Sequence, residues 1–530
     1  MPKMNMKQRS IFSVDAMRFQ LQHPQHHIKT VAFSLLHGLT RIHLSYTVTL
    51  WYNNDMNSIF ELFSWMRREK SWITRLSEAN NPERIFFVAF LIVILGGSLL
   101  LSLPIANQVR SASYIDNLFV SFSAVCVTGL TTVTASSQYT LFGKITMIFL
   151  MEIGGLGPMT IIAIIYQRNR RHMETTEKKL FAAGSGKSNL YDVPTYIRRI
   201  IRFTFIFELI GFILLCIRLI PLYDTWKGMF HALFLSVSAF TNSGFDCFGA
   251  DSLIGFAGDP LINFAVVFLI ITGGLGFMVW FELYELVLSL RNRGNVLRRK
   301  RRTLTVHAMF VLRTTVILLA SGMLLFFLTE LRNPATLAEA PAPAKGFICL
   351  FQSVTLRTAG FATVNIGKCT RPTLLIMCIY MLIGGSPGGT AGGMKTTTAS
   401  VLFRSAINSL DDEQKDAVIH HRRVAPSLLK HAFVILTLYI FTLFLAILLL
   451  TVTEPETDLL PLVFEAFSAI ATVGLSTGIT GSLSLGGKVV IMVLMFIGRL
   501  GPLSIYLAFH KSQVKPGRHV TYPNANIIIG

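Results

Sequence analysis

Long apolar runs alternate with polar segments between residues 85 and 509, and the runs have the length of membrane-crossing helices. A helix needs about 20 mostly apolar residues to cross the hydrocarbon core of a bilayer. Each run is about that long or longer, so the pattern predicts a spanning helix in each of the following segments: 85–103, 144–166, 199–220, 261–290, 305–328, 374–403, 429–452 and 488–509.

Residues 1–82 differ from the rest of the chain. They are polar, basic and rich in histidine, with one broken apolar stretch, residues 31–51, that carries Arg41 and His43. Charged positions inside so short a stretch suit a helix on a membrane surface better than a spanning one. We expect these residues to form a cytosolic extension.

Composition and charge placement agree with a membrane protein. Of the residues, 52% are hydrophobic and only 14% charged, although the formal net charge is +20. The basic residues collect in the loops after the second, fourth and sixth runs, and positive charge marks cytoplasmic loops. We therefore predict a multi-pass plasma-membrane protein with both termini in the cytoplasm. A nucleic-acid binder would instead need a basic soluble domain with stacking aromatic residues.

A fourfold internal repeat lies between the runs. The segments "FSAVCVTGLTT", "VSAFTNSGFD", "SVTLRTAGFAT" and "FSAIATVGLST" place glycines at intervals of 115, 116 and 114 residues. A second glycine motif follows each of them, "IGGLGP", "TGGLGF", "IGGSPGG" and "IGRLGP", after 25, 29, 24 and 24 residues. Four copies in register indicate tandem units. The predicted division is an extension at 1–82, repeats at 83–195, 196–303, 304–425 and 426–515, and a tail at 516–530.

The repeated polar turns predict a pore. Irregular backbone at membrane depth is tolerated only where protein buries it or where it lines a water-filled path. Four units of helix, short re-entrant helix, polar turn and helix would set backbone carbonyls around one axis, as in a potassium channel. The four residues that end at the glycine of each turn include no acid, so selection would rest on carbonyls. The predicted ion filter comprises Val127, Thr128, Gly129, Asn242, Ser243, Gly244, Thr358, Ala359, Gly360, Thr472, Val473 and Gly474.

These motifs resemble the Trk/Ktr/HKT superfamily of potassium transporters, and most closely its KtrB-type membrane subunits. The resemblance covers about residues 84 to 530 and includes "SPGGTAGGMKTTT" at 386–398 and the C-terminal "YPNANIIIG". It implies an all-α fold of four helix–pore-loop–helix repeats around a pseudo-fourfold pore. It also implies potassium uptake, and it allows sodium to act as an activator.

In that family, the glycine-rich break in the sixth run is a gate beneath the ion path. A helix that contains Pro387 and six nearby glycines cannot stay regular, which agrees with this role. The predicted gate comprises Gly384, Gly385, Ser386, Pro387, Gly388, Gly389, Thr390, Ala391, Gly392, Gly393, Met394 and Lys395 together with Arg499.

Arg499 stands where the other repeats have Gly155, Gly274 and Gly385. A cation inside a membrane span is costly and usually functional. We expect Arg499 to face the path as an electrostatic barrier and to hold the loop by hydrogen bonds. The alternative is a structural ion pair with a buried carboxylate, for which the candidates are Glu152, Glu208 and Glu282. For Arg357, in the third turn, we expect a hydrogen-bonding side chain packed behind the filter.

The resemblance also implies partners. KtrB-type subunits form homodimers with one pore per subunit, docked on a cytosolic ring of RCK-type, KtrA-like subunits that bind ATP or ADP. This chain has no G-x-G-x-x-G after a strand, so nucleotides would act in trans. Beyond potassium, sodium and membrane lipids we expect no cofactor in the chain and no nucleic-acid partner.

Other functions remain as alternatives. An enzyme or a substrate carrier would need a catalytic motif or a cluster of acids inside the membrane, and the sequence shows neither. Within the superfamily, the alternatives are a TrkH-like potassium transporter and an HKT-like sodium uniporter. In the HKT group a serine in the first turn marks sodium selectivity, so Gly129 favours potassium.

Overall fold

The computed structural model describes residues 82–108, 112–157, 193–249, 251–291, 304–411, 418–419 and 422–509. Residues 1–81 of the predicted extension, most of the three basic loops and the predicted tail at 516–530 lie outside the described residues. The described part is helical, apart from one antiparallel pair of two-residue strands, β1 (Val418–Ile419) and β2 (Arg422–Arg423).

The first two repeats each contain a long helix, a shorter central helix and a third helix. In repeat 1 these are α1 (Pro82–Ser102), α2 (Tyr114–Val125) and α3 (Leu141–Leu156), with short turns of helix at Pro104–Ala106 and Ala135–Gln138. In repeat 2 they are α4 (Val193–Leu222), α5 (Thr225–Thr241), α6 (Pro260–Gly274) and a further helix α7 (Phe277–Arg291), with a single turn at Ile254–Phe256.

Repeats 3 and 4 follow the same order. Repeat 3 has α8 (Val306–Glu330), α9 (Ala342–Thr355), α10 (Arg371–Leu382) and α11 (Thr396–Asp411), with a turn at Ile366–Lys368. Repeat 4 has α12 (Pro426–Thr453), α13 (Leu459–Ile470), α14 (Leu485–Leu500) and α15 (Pro502–Phe509), with a turn at Thr480–Ser482.

The helices differ from the predicted continuous spans. Among the described residues, only α8, α12 and Thr195–Leu222 of α4 are long and apolar enough to cross a membrane alone, and two bent pairs raise the number to five. The predicted spans 261–290 and 488–509 are wrong as single helices, because α6 and α7 meet at 103° and α14 and α15 at 90°. The predicted span 374–403 is divided into α10, a loop and α11.

Glycines in a left-handed conformation cause the sharp breaks. Gly157, Gly276 and Gly501 follow α3, α6 and α14 with φ of 81°, 87° and 83°. Glycine adopts a positive φ at little steric cost, so at these positions it can turn the backbone out of the helical path. In three of the four second motifs the last glycine is therefore a helix terminator, which the apolar pattern does not reveal; in repeat 3 the helix already ends at Leu382.

The short central helices are tied to the long helices that precede them. In the first three repeats, a serine of the central helix donates its hydroxyl to a backbone carbonyl of the preceding long helix. The bonds are Ser121 Oγ to Ile94 O at 2.6 Å, Ser236 Oγ to Glu208 O at 2.6 Å and Ser353 Oγ to Leu319 O at 2.8 Å. These bonds satisfy buried hydroxyls and fix how deeply each central helix sits.

The last repeat packs against the first. Lys488, at the start of α14, forms an ion pair with Asp116, at the start of α2. Lys488 Nζ donates to Asp116 Oδ1 at a distance of 2.8 Å. Arg84 Nε on α1 donates to Ala508 O on α15 at 3.2 Å. One apolar cluster contains residues of both repeats, including Phe119, Met495 and Leu462. The four repeats therefore form a closed arrangement.

Candidate functional site

The four predicted filter turns share one backbone conformation. In each turn, the residue two positions before the glycine is left-handed, and so is the glycine. The first residues are Val127, Asn242, Thr358 and Thr472, with φ of 56°, 60°, 68° and 51°, and the glycines are Gly129, Gly244, Gly360 and Gly474, with φ of 100°, 73°, 78° and 90°. Consecutive side chains and peptide groups of an extended strand alternate in direction. Left-handed residues interrupt that alternation, so neighbouring carbonyls can face one side.

The turns meet in cyclic order. A Cβ atom added to the glycine of each turn would press on the carbonyl oxygen of the residue before the glycine in the next turn. The distances are 2.7 Å from Gly129 to Ser243 O, 2.8 Å from Gly244 to Ala359 O and 2.7 Å from Gly360 to Val473 O, and a Cβ on Gly474 would contact Thr128 O. The fourth turn thus returns to the first. No residue larger than glycine fits these positions without displacing a carbonyl.

The amides of the turns are bound to the central helices. Thr128 N donates to Ser123 O, Ser243 N to Ser238 O and Val473 N to Ser468 O, each at a distance of 2.8 Å. The hydroxyls of the same serines accept from Gly129 N at 2.9 Å, Phe245 N at 2.9 Å and Gly474 N at 3.0 Å. In repeat 3, where Val354 replaces the serine, Thr355 Oγ1 instead donates to Phe361 O at 2.7 Å.

The carbonyl side of the turns has no such partners. Within the described part of the chain, no donor reaches the carbonyl oxygens of Thr128, Ser243, Ala359 and Val473. All four residues are fully buried. Buried carbonyls are nearly always paired. A ring of unpaired carbonyls is therefore suited to a ligand that accepts electron density from several oxygens, which is what a cation does.

Polar side chains extend the turns on the side of the glycine-rich loop. The side-chain oxygens and nitrogen of Asn242, Thr358 and Thr472 are buried and have no hydrogen-bond partner among the described residues. Asn242 Nδ2 lies 3.4 Å from the Cβ position of Gly274, and Thr472 Oγ1 would contact a Cβ on Gly392. This end of the turns therefore offers amide and hydroxyl groups in addition to carbonyls.

The predicted gating loop, residues 384–395, lies against this end of the turns. Its backbone bonds to repeat 2: Ser386 N donates to Gly274 O at 3.0 Å, and Thr390 N to Gly273 O at 3.1 Å. Thr390 Oγ1 donates to Phe240 O, in the last turn of α5, at 3.0 Å. The loop also contacts turn 4 through Gly392.

Internal bonds give the loop a defined shape. Gly384 N donates to Met394 O at 2.8 Å, so the two ends of the loop run side by side. Lys395 Nζ donates to Ala391 O at 2.8 Å. Gly388 and Gly393 have φ of 74° and 66°, which a larger residue rarely adopts. The loop is compact and made of small residues, and it is held from outside by a few hydrogen bonds.

Arg499 connects the loop to a further repeat. Its Nη1 atom donates to Thr390 O in the loop, and Nη2 donates to Gly154 O and, at 3.3 Å, to Gly155 O. Within the described part of the chain Arg499 forms no ion pair, so the alternative of a pair with a carboxylate is wrong there. Of the candidate partners, Glu282 accepts from Thr305 N and Oγ1 instead. Arg499 thus joins repeats 1, 3 and 4 through backbone carbonyls alone.

Arg357 departs from expectation. Its side chain is buried in the third turn, as predicted, with 6% exposed. Its Nε and Nη2 atoms, however, have no hydrogen-bond partner among the described residues. The prediction of a hydrogen-bonding arginine is therefore wrong for these two nitrogens. At these two atoms, no acceptor among the described residues compensates the positive charge of Arg357.

Sequence reasoning missed a buried acid oxygen that has no partner. Glu208 Oε1 on α4 is buried and has no hydrogen-bond partner among the described residues. The sequence offers Glu208 only as a partner for Arg499, although it also signals an unusual position, because Glu208 is the only acid of its apolar run. In the described residues, no group of three or more His, Cys, Asp and Glu side chains is arranged to hold a metal ion.

Comparison with known proteins assigns the family. The family model described as "TrkH: Cation transport protein" matches residues 55–516, so the match begins within the predicted extension. The chain is 35% identical to Ktr system potassium uptake protein B of Bacillus subtilis over 450 residues, which cover 85% of this chain and 97% of that protein. It is 36% identical to the protein of the same name from Vibrio alginolyticus over 457 residues, 85% of this chain and 95% of that one.

Two further relatives extend the comparison. The potassium/sodium uptake protein NtpJ of Enterococcus hirae is 33% identical over 463 residues, 86% of this chain and 99% of that protein. The crystal structure of the potassium transporter TrkH from Vibrio parahaemolyticus shares the fold with a TM-score of 0.60 at 18% identity, over 79% of this chain and 84% of that one. The chain belongs to the TrkH family of cation transport proteins.

Proposed function

We propose that this membrane protein is the pore subunit of a potassium uptake system, and that potassium enters the cell along the axis of the four turns. The observation that carries the proposal is the ring of buried carbonyls at Thr128, Ser243, Ala359 and Val473, which have no protein donor. Carbonyl rings replace the water shell of a permeating potassium ion. The four repeats would then surround one pseudo-fourfold pore.

Several features support potassium as the ion. The predicted filter residues include no carboxylate, so they offer neutral oxygens, which suit a large and weakly hydrated monovalent cation. Three of the relatives described above carry potassium uptake in their names, and one of these is named for sodium as well. We therefore propose potassium as the transported ion and sodium as an activator. A TrkH-like transporter and an HKT-like sodium uniporter are the alternatives.

The gate of this pore is the loop at 384–395 together with Arg499. The loop lies against the end of the turns, where it would block a path along their axis. Arg499 bonds the loop to repeat 1, and its charge raises the electrostatic energy of a cation there. Small residues that allow more than one backbone path suit an element with two states. Opening would require Thr390 to leave Arg499 and Phe240.

The predicted partners and orientation complete the proposal. We place both termini and the three basic loops in the cytoplasm, from the positive-inside rule. We propose a homodimer docked on a cytosolic ring of KtrA-like, RCK-type subunits, to which ATP or ADP binds. Such a ring would reach the gate through the loops between repeats and through helix α11, which directly follows the gating loop. The names of the Ktr system relatives support a system of more than one component.

Rubidium uptake tests the proposed function. Cells that lack their own potassium importers and express this chain should accumulate rubidium, and external sodium should increase the rate. Cells with the empty vector are the control. Uptake of sodium without rubidium would contradict the proposal and favour the sodium uniporter.

Gly129→Ser should make the pore less selective for potassium over sodium. The new Cβ would lie 2.7 Å from Ser243 O and would displace that carbonyl from the ring. Gly478→Ser is the matched control, because Gly478 has an almost equal φ of 103° but nothing within 4 Å of its Cβ position. Selectivity is measured as the ratio of rubidium to sodium flux in liposomes. An unchanged ratio for Gly129→Ser, or an equal loss for both variants, would remove Gly129 from the filter.

Arg499→Ala should raise the basal flux of the pore, because it removes both the charge and the bonds to the loop. Arg499→Lys separates the two effects, since lysine keeps the charge but cannot reach Thr390 O and Gly154 O with a planar fork. If the charge is the barrier, the lysine variant stays near wild type while the alanine variant conducts several-fold faster. A wild-type flux in both variants, accompanied by a lower melting temperature, would make Arg499 purely structural.

Shortening the loop by deleting residues 388–392 should give high uptake that no longer responds to the cytosolic partner or its nucleotides. The deletion removes Thr390 and, with it, the loop's bonds to Arg499 and Phe240. Thr390→Val is a milder version that loses only the hydroxyl bond, and Thr437→Val, on the exposed side of α12, is its control. A folded deletion variant that still switches on and off would place the gate elsewhere.

A further inference from the structure

Glu465 is a fully buried acid on the central helix of repeat 4, α13. Ser468 follows it by three residues and so lies on the same face of the helix. Ser468 binds the fourth turn, because its carbonyl accepts from Val473 N and its hydroxyl accepts from Gly474 N. Glu465 therefore lies one helical turn from the residue that holds this part of the predicted filter.

The hydrogen bonds of Glu465 go to residues 475–480, which follow the glycine of turn 4 and are called here the outer segment. Glu465 Oε1 accepts from Ser476 Oγ and, at 3.2 Å, from Thr480 Oγ1. Glu465 Oε2 has no hydrogen-bond partner among the described residues. Within the described part of the chain, the carboxyl group is therefore bound to the outer segment and to nothing else.

The hydroxyl network of the outer segment ends at the acid. Ser476 Oγ accepts from Gly478 N at 2.8 Å and from Thr480 Oγ1 at 2.9 Å. A serine hydroxyl has two acceptor positions and one hydrogen, so the hydrogen of Ser476 remains for Glu465. Glu465 is therefore the acceptor that completes this network.

The acid is specific to repeat 4. In the other repeats, the position nine residues before the turn glycine holds Val120, Leu235 and Phe351. Turn 3 has a different polar contact, in which Gln352 Nε2 donates to Thr363 Oγ1 at 3.1 Å. Because apolar side chains occupy this position elsewhere, packing alone does not require an acid, and burial of an acid costs free energy unless its bonds compensate. The bonds to the outer segment are therefore the feature that the acid adds.

The outer segment also lies against the rest of the protein. A Cβ atom added to Gly367 of repeat 3 would lie 2.6 Å from Thr477 O, so the two backbones are in close contact. Leu475 is 1% exposed and belongs to the same apolar cluster as Phe464 of α13. The segment is therefore held by close backbone contact, by apolar packing and by the bonds to Glu465.

We propose that Glu465 is a positioning residue of the filter: it fixes the backbone directly after Gly474 and thereby sets the preference for potassium over sodium. The number and arrangement of coordinating carbonyls decide which cation a filter binds. Without the acceptor, Ser476 and Thr480 lose their bonds, and the chain that follows Gly474 can move together with the carbonyl of that glycine. The inference rests on the proposed function, because it concerns which ion the filter admits.

Glu465→Leu tests the positioning role, with the ratio of rubidium to sodium flux into liposomes as the measurement. Leucine stands at the equivalent position of repeat 2, so the variant keeps a side chain that suits a central helix. The ratio should fall about tenfold, the size expected when buried donors lose one acceptor. An unchanged ratio in the folded leucine variant would overturn the inference.

Glu465→Gln separates the hydrogen bonds from the charge. The amide oxygen of glutamine can accept from Ser476 and Thr480 as the carboxylate does, so the flux ratio should stay within about twofold of the wild type. If the glutamine variant loses as much selectivity as the leucine variant, the charge and not the bonding is what matters, and the positioning role is wrong.

Glu454→Leu is the matched control for loss of a buried acid in repeat 4. Glu454 is 9% exposed and accepts from Ser484 N at 2.9 Å, at the start of α14 and away from the turn. This variant should have a lower melting temperature but an unchanged flux ratio. An equal loss of selectivity in both leucine variants would show a general effect of destabilisation and would contradict the inference.

Ser476→Ala tests the same bond from its other side. It should lower the flux ratio, and the double variant with Glu465→Leu should be no worse than Glu465→Leu alone, because residues that act through one bond are not additive. Fully additive losses, or an unchanged ratio in Ser476→Ala, would overturn the inference, and Ser476→Ala decides alone if the leucine variant does not fold. A wild type that moves no rubidium overturns the proposed function and this inference with it, whereas a selective wild type with equally selective variants overturns this inference only.

Discussion

The structure depends on a set of buried carbonyl oxygens that the protein does not pair. Four turns bind their amide groups to the central helices and leave the opposite side of the peptide, at Thr128, Ser243, Ala359 and Val473, without a donor in the described residues. Such groups cost free energy unless a ligand replaces water around them. The rest of the fold serves to hold these carbonyls near one another. The serine bonds of the central helices and the Asp116–Lys488 ion pair that joins the first repeat to the last do so directly.

Glycine is used twice for different reasons. In the turns, Gly129 and its three counterparts allow one repeat to approach the carbonyl of the next so closely that any side chain would intrude. After α3, α6 and α14, glycines with positive φ end the helices and free backbone carbonyls and amides. At the end of α3, the carbonyls of Gly154 and Gly155 accept from Arg499, and at the end of α6 those of Gly273 and Gly274 accept from the loop at 384–395. The predicted filter and this loop therefore lie side by side in one chain.

The sequence reveals the parts of this arrangement that depend on local residue type. The four turns are recoverable because only glycine meets their conformational requirement, so it recurs at a nearly fixed spacing. The long helices α4, α8 and α12 follow from apolar runs. The breaks after α6 and α14 were missed because apolar composition continues across them.

Contacts between distant residues could not be predicted in the same way. The sequence predicts that Arg499 holds the loop by hydrogen bonds, and Arg499 donates to Thr390 O in the loop. That it bonds to backbone carbonyls and not to Glu152, Glu208 or Glu282 depends on which groups the fold brings within its reach. The ion pair between Asp116 and Lys488 likewise has no local sequence pattern behind it. The described contacts do not explain why Arg357 is buried with two unpaired nitrogens.

The central claim is that a dehydrated monovalent cation binds among the carbonyls of the four turns. Crystals of the protein grown with thallium, a heavy substitute for potassium, would test it most directly by anomalous diffraction. The account predicts an anomalous peak on the axis between the carbonyl oxygens of Thr128, Ser243, Ala359 and Val473, which weakens when potassium is added in excess. A peak located elsewhere in the chain, with none among these oxygens, would contradict it.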